Sequence, residues 1–216
     1  MGGRGAGSGM GGASGKPVQV GQMEDVWSAR HNPNNEDFVD AINEGARKIQ
    51  NDFEDLMSET VTVINSAELL GADKITTLGF YSPDEKSVSL NDNYVNIRKM
   101  NAVYDAAIAQ GYHPPRGNLT GTEAVALHEL GHALTDHVAK KMGAKSLDDA
   151  AMRIFKAAYK AAGGRGSHKA WAGQISGYAQ ENYAESIAEA VADHYCNGSN
   201  ASAASRAIMR ELLKYR

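Results

Sequence analysis

Between Leu127 and His137 the chain reads LHELGHALTDH, with three histidines and two carboxylates in close succession. His128, Glu129 and His132 make the pattern H-E-x-x-H. Residues four apart share one face of a helix, so the imidazoles of His128 and His132 can reach a single ion. Glu129 projects beside them, where a carboxylate can take a proton from a water activated by a metal. His137 does not belong to the same set. On one helix it points to a different side from His132 and lies roughly 13 Å along the axis from His128. It reads as a solvated histidine near the C-terminal end of the helix, and Asp136 is excluded by a similar axial distance.

A catalytic metal site needs three protein ligands and an open position, so a third ligand must come from elsewhere. The run ISGYAQENYAESIAEAVADHY (175–195) offers Glu181, Glu185, Glu189, Asp193 and His194. Glu185, Glu189 and Asp193 follow one another at helical spacing. One of them can bind a metal while the next holds a ligand histidine from behind. Ala184, Ala188 and Ala192 let this helix approach its neighbour closely.

The surrounding sequence must position these groups. Phe38, Ile42, Ala46, Ile49, Phe53 and Met57 form one stripe of an amphipathic helix that begins near Asn35. TVTVIN (60–65) is β-branched and reads as a strand. Two further strands, Ile75 to Tyr81 and Ser87 to Leu90, flank the turn SPDEK and suggest a hairpin. Residues 94–110 read as a helix, which Pro114 and Pro115 exclude from the following stretch. Thr120 or Thr122 caps the next helix, which carries the motif to about Met142. Helices over about 147–161, 180–196 and 200–214 follow. Trp171 reads as a packing residue and Cys196 as a bystander thiol. The order of elements is α+β: a small N-terminal sheet, then a mostly helical C-terminal part.

Composition narrows the function classes. The 216 residues suit one domain and a tail, and 22 basic against 26 acidic side chains leave no nucleic-acid footprint. One cysteine cannot form an internal disulfide. Residues 1–34 are a glycine-rich lead, expected to be flexible, without the apolar core of a signal peptide. Residues 35–216 form the domain. No apolar run is long enough to span a bilayer.

The motif and the run SGYAQENYAESIAEA together resemble the gluzincin metallopeptidases of the anthrax lethal factor type, which include the Pro-Pro endopeptidases. Their shared run, Y-x-x-x-N-x-x-E-x-x-A-E, corresponds here to Tyr178, Asn182, Glu185, Ala188 and Glu189. The resemblance spans about residues 75–196. Ser186 and Ile187 depart from it, because the family often carries two aromatic residues there. It implies a zincin-like fold and one Zn2+ held by His128, His132 and Glu185. It also implies Glu129 as general base, Tyr178 as the hydroxyl stabilising the oxyanion, and Glu189 as a carboxylate behind the ligands. Zincins pair an extended substrate with an edge strand of the sheet, which assigns that role here to Ser87, Val88, Ser89, Leu90 and Asn91.

The glycine-rich start and the run AEAVADHYCNG also resemble segments of phage head-morphogenesis and mobile-element proteins. Two functions are therefore expected to compete. One is a zinc endopeptidase acting on a peptide or protein substrate. The other is a phage head or assembly protein that keeps the fold and acts by binding an assembly partner. The expected location is cytoplasmic or virion-associated, with neither nucleic acid nor membrane as partner.

Overall fold

A computed structural model describes residues 18–19, 36–54, 56, 60–65, 77–84 and 86–216. Most of the expected lead, and the expected strand positions 75 and 76, lie outside the described residues. Helices dominate what is described. The elements are β1 (Val18–Gln19), α1 (Glu36–Gln50), β2 (Thr60–Asn65), β3 (Gly79–Ser82), β4 (Ser87–Leu90), α2 (Ile97–Ala109) and α3 (Gly121–Lys141). They continue with α4 (Leu147–Ala161), α5 (His168–Ala172), α6 (Tyr183–Asn197) and α7 (Ala203–Leu212). Among the described residues no helix is long and apolar enough to cross a membrane.

The strands form one small sheet in the order β1-β2-β4-β3. β3 and β4 are the expected antiparallel hairpin, with Gly79 opposite Leu90 and Ser82 opposite Ser87. β2 runs parallel to β4, with Thr62 opposite Ser87 and Asn65 opposite Leu90. This corrects the expected edge. Ser87, Val88, Ser89 and Leu90 have a strand on both sides, and the Asn91 side chain is buried, donating to the Thr77 carbonyl at 2.8 Å. A peptide strand cannot add there, and the outer strand next to β4 is β3. The Asn91 amide donates to the Leu78 carbonyl at 2.9 Å, which marks those two residues as a hydrogen-bonded pair. In an antiparallel ladder such pairs alternate, so Leu78 and Phe80 turn their backbone groups to β4 and Gly79 turns outward.

Helix α3 is buried nearly all round, apolar and polar residues alike, with Ala124, Leu127, Leu130, Leu134 and Val138 among them, as suits a helix at the centre of a fold. Its start is fixed by a capping box. The Glu123 amide donates to Thr120 Oγ1 at 3.2 Å, and the Thr120 amide donates to the Glu123 carboxylate at 2.7 Å. α1, α2, α4 and α6 all pack against it. From α1 come Ala46 and Ile49 and, just beyond its end, Phe53, all of the expected stripe. The side chains of Phe38, Ile42 and Met57 lie outside the described residues. α1 stops at Gln50 rather than continuing towards 57.

The closest approach is between α3 and α6. A Cβ built on Gly131 would stand 3.0 Å from Ala188 Cα and 3.1 Å from Val191 Cβ. Only glycine lets the two backbones lie this close. α6 itself starts at Tyr183, later than the expected 180, because the Asn182 side chain accepts from the Glu185 amide at 2.9 Å and caps the helix. Tyr178–Gln180 form a separate short 3-10 turn ahead of it. The glycine-bearing stretch before that turn also contains the short helix α5. There Trp171 packs edge-on against Phe155 with ring centroids 5.0 Å apart, as expected of a packing residue.

Candidate metal centre

The close contact of α3 with α6 brings three side chains to one point. Glu185 Oε2 lies 3.1 Å from His128 Nε2 and 3.3 Å from His132 Nε2. The three ligand atoms all lie within 4.8 Å of one another, and this group could hold a metal ion. Two tests of fit agree. Glu185 Oε2 is buried and, among the described residues, meets the two imidazole nitrogens as ion pairs without a well-aligned hydrogen bond, so a cation between the three atoms would satisfy it. In addition, ligand atoms about 2.05 Å from a tetrahedral ion stand about 3.3 Å apart, close to the two distances found.

Behind this group lies Glu189, fully buried on the next turn of α6. Its Oε1 is 2.8 Å from His128 Nδ1. A carboxylate only accepts, so Nδ1 carries the proton and Nε2 is turned towards the ligand point. Glu189 also accepts from Ser176 Oγ at 2.7 Å, and its oxygens lie 3.1 and 3.3 Å from His113 Nδ1. Burial alone would raise the Glu189 pKa, but His113 and His128 outweigh it and bring it to about 2. The Glu185 carboxyl is likewise pressed upward by burial. His128 and His132 outweigh that and hold it well below the usual carboxylate range. His128 in turn is driven down by burial, yet Glu185 and Glu189 raise it well above the ordinary histidine value.

The remaining expected residues, Glu129 and Tyr178, lie beside His128. Glu129 is buried against the ligand histidines, and among the described residues its carboxylate accepts no hydrogen bond. Burial raises its pKa, with His128 and His132 pulling the other way. Tyr178 lies nearly parallel to His128, with ring centroids 5.7 Å apart. Burial, then the nearby Glu185, pushes its hydroxyl far above the usual tyrosine range. It therefore remains a proton donor. Both residues line a cleft of about 150 Å3, together with His128, His113 and Glu189. Apolar walls come from Leu78, Val103, Ala107 and Val125, with Gly79 of β3 at the rim.

Other candidates from the sequence fall outside this group. Asp193 is buried and accepts from the Ser202 amide at 2.8 Å and Ser205 Oγ at 2.6 Å, which fixes the start of α7. Glu181 and His194 are not in the metal group. Nor is His137, which is buried rather than solvated because α3 is enclosed along its length. Asp136 accepts from Tyr81 Oη at 3.0 Å and pairs with Lys86, tying the hairpin to α3. Cys196 is half-buried, and burial pushes its thiol up to about 12, as suits a bystander.

Two residues of the cluster, His113 and Ser176, escape the sequence reading. His113 stands immediately before the Pro114-Pro115 break, and Ser176 two residues before Tyr178. A histidine held in place by a following proline pair is the one local signal that singles out His113. No protein family matches the chain, and no curated protein matches it.

Proposed function

We propose that the chain is a zinc-dependent endopeptidase with a zincin-like fold. The observation that carries this reading is the group of His128 Nε2, His132 Nε2 and Glu185 Oε2, with the carboxylate oxygen 3.1 and 3.3 Å from the two nitrogens. Of that group, His128 lines a cleft shared with a base, Glu129, and a hydroxyl, Tyr178. Zinc suits two imidazoles and a carboxylate, and when bound it would supply a Lewis acid and make a water acidic near neutral pH.

The chain's own residues perform the rest. Glu129 lines the cleft, takes a proton from the attacking water and passes it to the departing amine. The Tyr178 hydroxyl, held protonated by burial, donates to the oxyanion that develops on the scissile carbonyl. Glu189 keeps His128 in the tautomer that leaves Nε2 for the metal. The outward-turned backbone of Gly79 offers the extended peptide a strand to pair with. The apolar walls at Leu78, Val103, Ala107 and Val125 receive one uncharged side chain next to the scissile bond.

Metal analysis of the purified chain, followed by a peptide-library cleavage assay before and after chelation, tests this. One equivalent of zinc, with cleavage lost on chelation and restored by zinc, is expected. Bound zinc without any cleavage would instead favour an assembly protein that acts by binding.

A further inference from the structure

The segment Gly111 to His113 touches both halves of the site. The Gly111 carbonyl accepts from the Gly177 amide at 2.7 Å, and the Tyr112 carbonyl accepts from the Tyr178 amide at 2.9 Å. The Tyr112 ring stacks on that of Tyr178, with centroids 5.2 Å apart. His113 then reaches Glu189 with Nδ1. It lies flat on Tyr104, 5.0 Å between centroids and 4° between planes, and meets Tyr178 edge-on at 5.5 Å. Gly111 has a φ of +68°, a conformation that side chains disfavour. Pro114 restricts the backbone of His113 from the other side. A bracket thus delivers a second imidazole to the carboxylate that holds His128.

We propose that His113 is a positioning residue for the metal centre, fixing the Glu189 carboxylate so that it can orient His128. This rests on the reading of His128, His132 and Glu185 as a metal site. Glu189 has two oxygens: Oε1 meets His128 and Oε2 accepts from Ser176. His113 Nδ1 lies against both, at 3.1 and 3.3 Å, and so fixes the plane of the carboxylate that holds His128. Partners at this distance from a metal change its affinity about 10–100-fold.

Two substitutions separate this role from simple packing. In His113→Asn the amide nitrogen stands close to where Nδ1 was, but the stacked ring is lost. In His113→Phe the stacked ring is kept, but the donor is lost. Zinc affinity is measured for wild type and both variants by competition with a chromogenic chelator near neutral pH. The proposal expects His113→Phe to bind at least about tenfold more weakly and His113→Asn to stay near wild type. It is overturned if His113→Phe binds as tightly as wild type, or if His113→Asn is the weaker of the two. Wild type that binds no zinc overturns the metal site itself, which is a different outcome. Nitrogen-15 spectra of the unsubstituted, metal-free chain give a second readout that needs no variant. A protonated His113 Nδ1 in slow exchange supports the proposal, and an unprotonated Nδ1 overturns it.

Discussion

Gly131 on α3 faces Ala188 on α6 with no room for a side chain between them. One turn earlier on α6, Glu185 meets the two histidines that flank Gly131 in the sequence. The packing of one glycine therefore sets the distance on which the metal group depends.

Gly131→Ala should push α6 outward by a few tenths of an ångström, and Gly131→Val by more. Overpacking of this kind costs about 1–3 kcal/mol. Denaturant unfolding should register that loss. Zinc titration of the same variants should show weaker binding, because Glu185 moves with α6. Unchanged stability and affinity in Gly131→Val would show that the two helices are not locked together as described.

Metal binding should release protons. In the metal-free chain Glu185 and Glu189 raise His128 above its ordinary value against the effect of burial. Its protonated form therefore stabilises the metal-free fold fully below about 6.5, and that contribution is lost as pH rises through the raised folded value. A metal needs the neutral imidazole. Between the ordinary and the raised value, zinc should displace about one proton from His128, and apparent affinity should rise with pH. Calorimetry in buffers of different ionisation enthalpy measures this. Binding with no proton uptake by the buffer would contradict it.

The cleft should select by size. Val103 is the large apolar side chain most open to solvent among the described residues, and it forms one wall. Val103→Phe should narrow the cleft and shift cleavage towards peptides with small residues beside the scissile bond. Val103→Ala should do the reverse. A methylene in such a pocket changes kcat/KM about 10–200-fold, which a positional peptide library resolves. An identical preference in all three proteins would place the substrate side chain elsewhere.

Asp136 joins the hairpin to α3 through Tyr81 and Lys86. Asp136→Asn should leave zinc binding intact but loosen the strand that borders the cleft. The expected signature is a raised KM for peptide with little change in zinc content. Loss of zinc in this variant would instead mean that Asp136 supports the metal group directly.

Much of the site was legible because its signals are local. His128, Glu129 and His132 share a helix whose apolar residues and caps are written around them. Ala188, among the small residues of α6, foretold the close approach of the two helices. What escaped depends on contacts between distant segments. The outer position of β3 follows from the parallel pairing of β2 with β4, which no turn signal announces. His113 reaches Glu189 across 76 positions, and its role becomes visible only when the bracket at Gly111 to His113 meets Tyr178. His137 looked solvated because its own sequence neighbourhood is polar, whereas the helices packed on α3 enclose it.

The most direct test of the central claim is the cleavage rate of zinc-loaded Glu129→Gln beside zinc-loaded wild type, with metal content measured in the same samples. Glutamine keeps the shape but cannot accept the proton. The account predicts one zinc in each protein, and a rate that falls about 10²–10⁴-fold in the variant. Equal rates in the two, with equal zinc, would contradict it.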